Sequence, residues 1–187
     1  MSLRKELTHD QKENVLAQFM SLNSQAITQY KEALSIQEDF VSSRFHLGLM
    51  YHRINNFHEA LKCFSKVLIN IKDDKTVYIA RGVVYQDMGN HALAITDFIQ
   101  AIDLDKDLSE GYFRLGFSKF YSKNYNEAIS DFKKADEKEN LHLAIDPNLI
   151  RNAGIPDGLG CCYHALEQYE KAIPFYDTAI EMNNENT

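Results

Sequence analysis

Four groups of residues have the types that do chemistry. His58-Glu59-Ala60-Leu61-Lys62 opens like a zinc-protease helix, in which two histidines four apart hold the metal and a glutamate acts as base. Lys62 stands where the second histidine is needed, so the metal would lack a ligand, and Glu59 reads as a capping residue. Gly158-Leu159-Gly160 is a fragment of a dinucleotide-binding loop without the preceding strand or the third glycine, and it reads as close helix packing. Cys161 and Cys162 are adjacent and cannot form a C-x-x-C redox pair, so they read as small buried or groove residues. His46, His52 and His58 lie six apart, which does not place them on one helical face, and His58 belongs to a different helix. No Ser/His/Asp set or paired carboxylates stand out. The sequence therefore asks for no catalytic residue, no metal and no cofactor, and the expectation is a protein that is not an enzyme.

The elements that carry these residues come from a chain of 187 residues, long enough for one domain with a real core. Its apolar share of 44% and charged share of 25% argue against disorder. No apolar run approaches the roughly 18 residues that a membrane span needs. The first ten residues include Arg4, Lys5 and Glu6 and lack an apolar stretch, so no signal peptide is visible. A net charge of −7 with scattered Lys and Arg gives phosphates no basic face to meet, which argues against nucleic acid as a partner. The cysteines, Cys63, Cys161 and Cys162, are odd in number and lack framework spacing, which suits free thiols in a reducing, cytoplasmic setting.

Self-similarity is the dominant signal. Gly48, Gly82 and Gly116 lie 34 residues apart, and Gly160 opens a fourth copy. Twelve residues after each glycine comes Ala60, Ala94, Ala128 or Ala172; four later comes Phe64, Phe98, Phe132 or Tyr176. Three later again comes Val67, Ala101, Ala135 or Ala179. Tyr51, Tyr85 and Tyr163 follow their glycines by three, whereas the third copy has Lys119 there. Spacings of three and four put residues on one helical face. The small residues let two helices approach, and the aromatic fills the space they leave. Each unit is thus predicted to be an antiparallel helix pair that must stack on its neighbours to bury its apolar face. Asn56-x-x-Glu59, Asn124-x-x-Glu127, Asp107-x-x-Glu110 and Thr8-x-x-Gln11 mark expected helix starts.

These residues resemble the tetratricopeptide repeat, a 34-residue helix–turn–helix unit. Leu47-Gly48-x-x-Tyr51, Ala60, Phe64 and Val67 fill its signature in one copy, and Tyr78, Gly82, Tyr85, Ala94, Phe98 and Ala101 fill it in another. The proline common near the repeat end is missing at Lys72, Lys106 and Asn140. The implied fold is all-α: a single domain over 1–187 of at least nine helices, stacked as a right-handed superhelical solenoid. Its parts are a degenerate repeat at 7–40 (Ala26, Tyr30 and Ala33 in place, Asn14 where glycine is expected), repeats at 41–74, 75–108 and 109–142, and a repeat at 153–187. Residues 143–152 are either an inserted loop or a helix lengthened by two turns that stops before Pro147.

In this family the first helices line a concave face, and the resemblance implies partner contacts at Phe45, His46, Leu49, His52 and Arg53, then Ile79, Ala80, Val83, Gln86 and Asp87. The third copy adds Glu110, Phe113, Arg114, Phe117, Phe120 and Tyr121, and the last adds Asp157, Cys161 and His164. Phe45, Leu49, Ile79, Val83, Phe113 and Phe117 form an apolar stripe that the core pattern leaves unused, and a stripe of that kind is normally covered. Some relatives clamp acidic chaperone tails with Lys and Asn; the clamp positions here hold Phe45, Leu49, Ala80, Glu110 and Arg114, of which only Arg114 matches. The reading is therefore a protein-interaction scaffold or adaptor that holds an apolar or amphipathic peptide. The alternative is structural. Thr187 follows directly on the last repeat, which suits a segment of a longer solenoid, a homodimer or a larger multiprotein complex.

Overall fold

The structure, a computed structural model, describes residues 9–38, 40–146, 149 and 151–185. Among them are nine helices and no strand. They are α1 (His9–Ile36), α2 (Val41–Arg53), α3 (Phe57–Asn70), α4 (Lys75–Asp87) and α5 (His91–Leu104), then α6 (Ser109–Tyr121), α7 (Tyr125–Ile145), α8 (Gly154–Ala165) and α9 (Tyr169–Glu185). The chain divides into two compact units, 1–72 with α1 to α3 and 73–187 with α4 to α9.

The tight turn inside each helix pair recurs residue for residue. Asn55, Gly89, Lys123 and Glu167 all adopt a left-handed backbone, with φ of 60°, 74°, 63° and 59°. The following residue, Asn56, Asn90, Asn124 or Gln168, donates its amide to the carbonyl of Tyr51, Tyr85, Lys119 or Tyr163. This is the Schellman closure of a helix C-terminus. Asn56 and Asn90 then accept from the amides of Glu59 and Leu93 and so cap the second helix. Asn124 makes no such side-chain bond, so that expected cap is absent. Asp107 does not cap α6 either: Leu108 is the residue before the helix, and the Asp107 amide donates to Asp105. The expected start at Thr8 lies outside the described residues. Asp74 caps α4 by accepting from Thr76 at 2.8 Å.

Within each pair the glycine of the first helix sits on the aromatic of the second. A Cβ on Gly48 would lie 2.7 Å from the Phe64 ring, on Gly82 2.6 Å from Phe98, and on Gly160 2.7 Å from Tyr176. Phe64, Phe98 and Phe132 are fully buried, as are Ala60, Ala94 and Ala128. Phe132 is held from two sides, because a Cβ on Gly116 would lie 3.1 Å from its ring and one on Gly158 2.6 Å. Aromatic burial of this kind is worth several kcal/mol per ring.

Two stretches depart from the regular pattern. Residues 9–36 form one uninterrupted helix, so the segment expected as a degenerate repeat is not a helix pair among the described residues. Helix α7 runs 21 residues against 14 in α3 and α5, which makes the lengthened helix, not the loop, the arrangement observed up to Ile145. The stretch after α7 is tied back to it. The Asn152 amide donates to Glu139 at 2.9 Å, and Arg151 reaches Asp136 and Asn140 at 3.5 and 3.2 Å.

Candidate interaction surface

In the first unit, α2 carries Phe45, His46, Leu49, His52 and Arg53. Phe45 is half-buried with its ring 5.6 Å from Phe64, so it belongs partly to the core. His46 stacks on Tyr30 of α1 at 5.7 Å, and the Arg53 guanidinium sits 4.6 Å over the Phe19 ring of the same helix. Leu49 and His52 are half-buried, and the His52 ring lies 6.0 Å from Phe57. Helix α1 thus touches His46 and Arg53, two of the positions that the sequence offered to a partner.

In the second unit the first helices α4, α6 and α8 lie side by side in order. On α4, Ile79 and Val83 are half-buried against the cluster of Phe98, Ile102 and Leu115. Gln86 is buried, and its amide donates to the Ser118 hydroxyl at 2.9 Å; it fastens α4 to α6 and is not presented outward. On α6 the spacing of four carries three rings in line. Phe113 and Phe117 are 6.3 Å apart, and Phe117 and Tyr121 4.8 Å. Phe113 rests on Phe132 at 5.9 Å, which corrects the expectation that it lies outside the core. Phe117 and Tyr121 remain 37% and 54% exposed. Tyr121 stacks nearly parallel on His91 at 5.2 Å, and Phe120 turns toward Tyr125. Arg114 faces Glu110 at 3.4 Å. On α8, Asp157 and His164 are exposed and Cys161 is half-buried.

Arg81 and Lys119 of the second unit form ion pairs between the two helices of a pair. Arg81 reaches Asp97 through two bonds of 2.8 and 2.7 Å, and that bonding outweighs burial to hold the guanidinium above its usual value. Lys119, the residue in place of tyrosine, reaches Asp131 at 2.7 Å and Glu127 at 3.2 Å. Burial pulls its ammonium down, but the carboxylates prevail and hold it up. Asp97 and Asp131 occupy the same repeat position, three after the alanine, and that spacing is the signal by which the sequence could have revealed both pairs.

Burial raises the pKa of two groups of the α8–α9 pair. Burial pushes the Cys162 thiol up to about 12, far from a thiolate at neutral pH. Burial and the bond to Cys161 push the Tyr176 phenol up to about 12. No group of three metal-ligating side chains is found among the described residues.

The tetratricopeptide repeat model matches residues 41–68, 76–108, 109–137 and 158–186, more than half of the chain. The chain belongs to the tetratricopeptide repeat family. It is 28% identical over 116 residues to the Hsp70-Hsp90 organizing protein of Triticum aestivum, covering 62% of this chain and 18% of that protein. It is 30% identical over 83 residues to the small glutamine-rich tetratricopeptide repeat-containing protein 2 of Mycosarcoma maydis, covering 44% and 23%. This tetratricopeptide chain thus aligns with about a fifth of the length of such curated relatives. Among solved structures it is similar to MamA, with a TM-score of 0.73, 19% identity and coverage of 97% and 98%. It is also similar to YrrB, described as a repeat protein with an unusual peptide-binding site, with a TM-score of 0.68, 23% identity and coverage of 90% and 81%. At these identities the likeness shows the fold. No described helix is long and apolar enough to cross a membrane.

Proposed function

We propose that this chain is a non-catalytic interaction module that holds an apolar or amphipathic segment of a protein partner. The observation that carries the reading is the run of rings on α6, where Phe117 and Tyr121 stay exposed in contact with each other. Aromatic side chains offer large rigid area at low entropic cost, and a few such residues dominate binding in most interfaces. Val83 of α4 and Phe120 of α6 supply half-buried apolar surface on the same two helices. Free thiols at Cys63, Cys161 and Cys162 suit a cytoplasmic setting. The acidic balance of −7 speaks against a nucleic-acid partner.

The name of the Triticum aestivum relative connects it to chaperones, yet a carboxylate clamp has little support here. Its positions hold Ala80 and Glu110 in the second unit, and Arg114 already faces Glu110. The test is a displayed peptide library selected on the wild-type chain, with the best binder then measured against Phe117→Ala/Tyr121→Ala. Phe113 is kept, because it supports Phe132. The double variant should retain its helical spectrum and bind at least tenfold more weakly, since burying apolar area is worth about 25 cal/mol per Å². A peptide with an acidic chaperone-like tail should bind no better than about 0.1–1 mM. Unchanged affinity of the folded double variant, or micromolar binding of the acidic tail, would overturn this reading.

A further inference from the structure

Counted from Gly116 and Gly160, the pairs α6–α7 and α8–α9 correspond residue by residue, and each packs on the second helix before it, α5 or α7. In the earlier case the seam among the three helices is closed. Tyr112 of α6 packs on the cluster of Ile102 and Leu115, and the Lys134 ammonium of α7 lies 5.6 Å over its ring. One turn on, Lys138 reaches Asp107 at 3.0 Å. In the later case Pro156 stands for Tyr112, Thr178 for Lys134 and Met182 for Lys138. The ring and both cations are gone, and a crevice of about 160 Å³ opens in the seam. The opening is set by residue type inside the stack. Tyr112 and Lys134, which close the earlier seam, lie on the helices that correspond to α8 and α9 themselves.

The walls are apolar and nearly dry. Ile155 and Leu159 of α8 and Met182 of α9 are 1%, 4% and 7% exposed, and Pro156 is buried. Asp136, Arg151 and Thr178 reach solvent and form the mouth. An apolar cavity of roughly 150 Å³ takes up one benzene ring, so this crevice has room for a single ring and not for a helix. The mouth narrows the choice further. Thr178 spends its hydroxyl on the Pro174 carbonyl at 2.9 Å. Asp136 accepts from Asn140 at 3.2 Å and from Arg151 at 3.5 Å, which leaves lone pairs on its carboxylate for another donor. A ring that carries a hydroxyl suits both the walls and the mouth, and Tyr112 shows the same group held in the corresponding seam.

We propose that this crevice holds a tyrosine side chain of a partner protein, with the ring among Ile155, Leu159 and Met182 and the phenol donating to Asp136. The site is built by α7, α8 and α9 and does not use the exposed rings of α6, so it stands or falls independently of that surface.

Methyl-resolved NMR of the full chain tests this with p-cresol and with three end-blocked alanine peptides that carry a central tyrosine, phenylalanine or alanine. The tyrosine peptide should shift the methyl signals of Ile155, Leu159 and Met182 and leave that of Val83 in place. It should bind roughly threefold to tenfold more tightly than the phenylalanine peptide, the worth of one hydrogen bond, and the alanine peptide should shift nothing. Asp136→Ala should erase the preference for tyrosine. Pro156→Tyr/Thr178→Lys, which rebuilds the closure of the preceding pair, should abolish the shifts while the helical spectrum is kept. Phe117→Ala/Tyr121→Ala should bind the tyrosine peptide as the wild type does, which separates this site from the α6 surface. Asp136→Ala, at a solvent-reaching position, stands as a second test should the rebuilt variant fail to fold. Unshifted methyls, equal binding of the tyrosine and phenylalanine peptides, a preference that survives Asp136→Ala, or shifts that survive in the folded rebuilt variant would overturn the proposal. So would binding of p-cresol without binding of the tyrosine peptide, since that would give the crevice to a free phenol.

Discussion

Helix pairs α4–α5 and α8–α9 share one register, yet they differ in what lies outside them. Ala94 and Ala172 are both buried, and Gly82 and Gly160 both sit on the ring of their own partner helix. Outward of that shared seam the two part. Phe98 and Ile102 sit in a closed cluster with Leu115, whereas Tyr176 is half-buried and Ile180 is exposed. The contacts that make a helix pair are therefore internal to it, and the burial of its outer face is conferred by the neighbour. Residue type alone does not separate the two cases.

The largest effect should come from the rings. Phe98→Ala removes a fully buried ring and should cost about 3–5 kcal/mol in urea unfolding. Tyr176→Ala at the matching position should cost less than half of that, because its ring already meets solvent. Equal losses would break the comparison. Next, Ile102→Ala should cost about 2–4 kcal/mol and Ile180→Ala less than about 0.5 kcal/mol. A large loss at Ile180 would mean that something covers α9 in solution. Smaller still, Ala94→Leu and Ala172→Leu should each cost about 1–3 kcal/mol through overpacking of the seam that both pairs share. A clear difference between those two would show that the seams are not equivalent.

Much of this was legible because the repeat imposes one physical requirement again and again. A small residue opposite a ring, at spacings of three and four, placed Gly82, Ala94 and Phe98 in the core from the sequence alone. What escaped the sequence depends on partners distant along the chain. Gln86 resembles an outward-facing polar residue, but its position meets Ser118 thirty-two residues on, and that meeting buries it. Phe113 sits at a position counted as free, yet it rests on Phe132. His46 and Arg53 were offered to a partner; both are exposed, and the sequence did not show that they also touch Tyr30 and Phe19 of α1. The left-handed residue in each turn was missed for another reason. Gly89 and, more weakly, Asn55 have residue types that advertise it; Lys123 and Glu167 adopt the same conformation because the flanking helices require it.

That turn gives the smallest and cleanest test of the comparison. Gly89 joins α4 to α5, and Glu167 joins α8 to α9, with the same closure of the preceding helix. A residue with a Cβ meets its own carbonyl in this conformation, at roughly 1–2 kcal/mol, whereas glycine does not. A Cβ on Gly89 would meet nothing within 4 Å, so a substitution there tests the backbone and no packing. Gly89→Glu should therefore destabilise by about 1 kcal/mol. Glu167→Gly should stabilise by about 0.5–1 kcal/mol, the relief of strain being offset in part by the freedom glycine gains in the unfolded chain. The two substitutions are mirror images, so their effects should be opposite in sign and similar in size if the turns are equivalent. Should Glu167→Gly instead destabilise, the glutamate side chain must make a contact in solution that the turn geometry does not require, and the α8–α9 pair would differ from α4–α5 inside as well as outside.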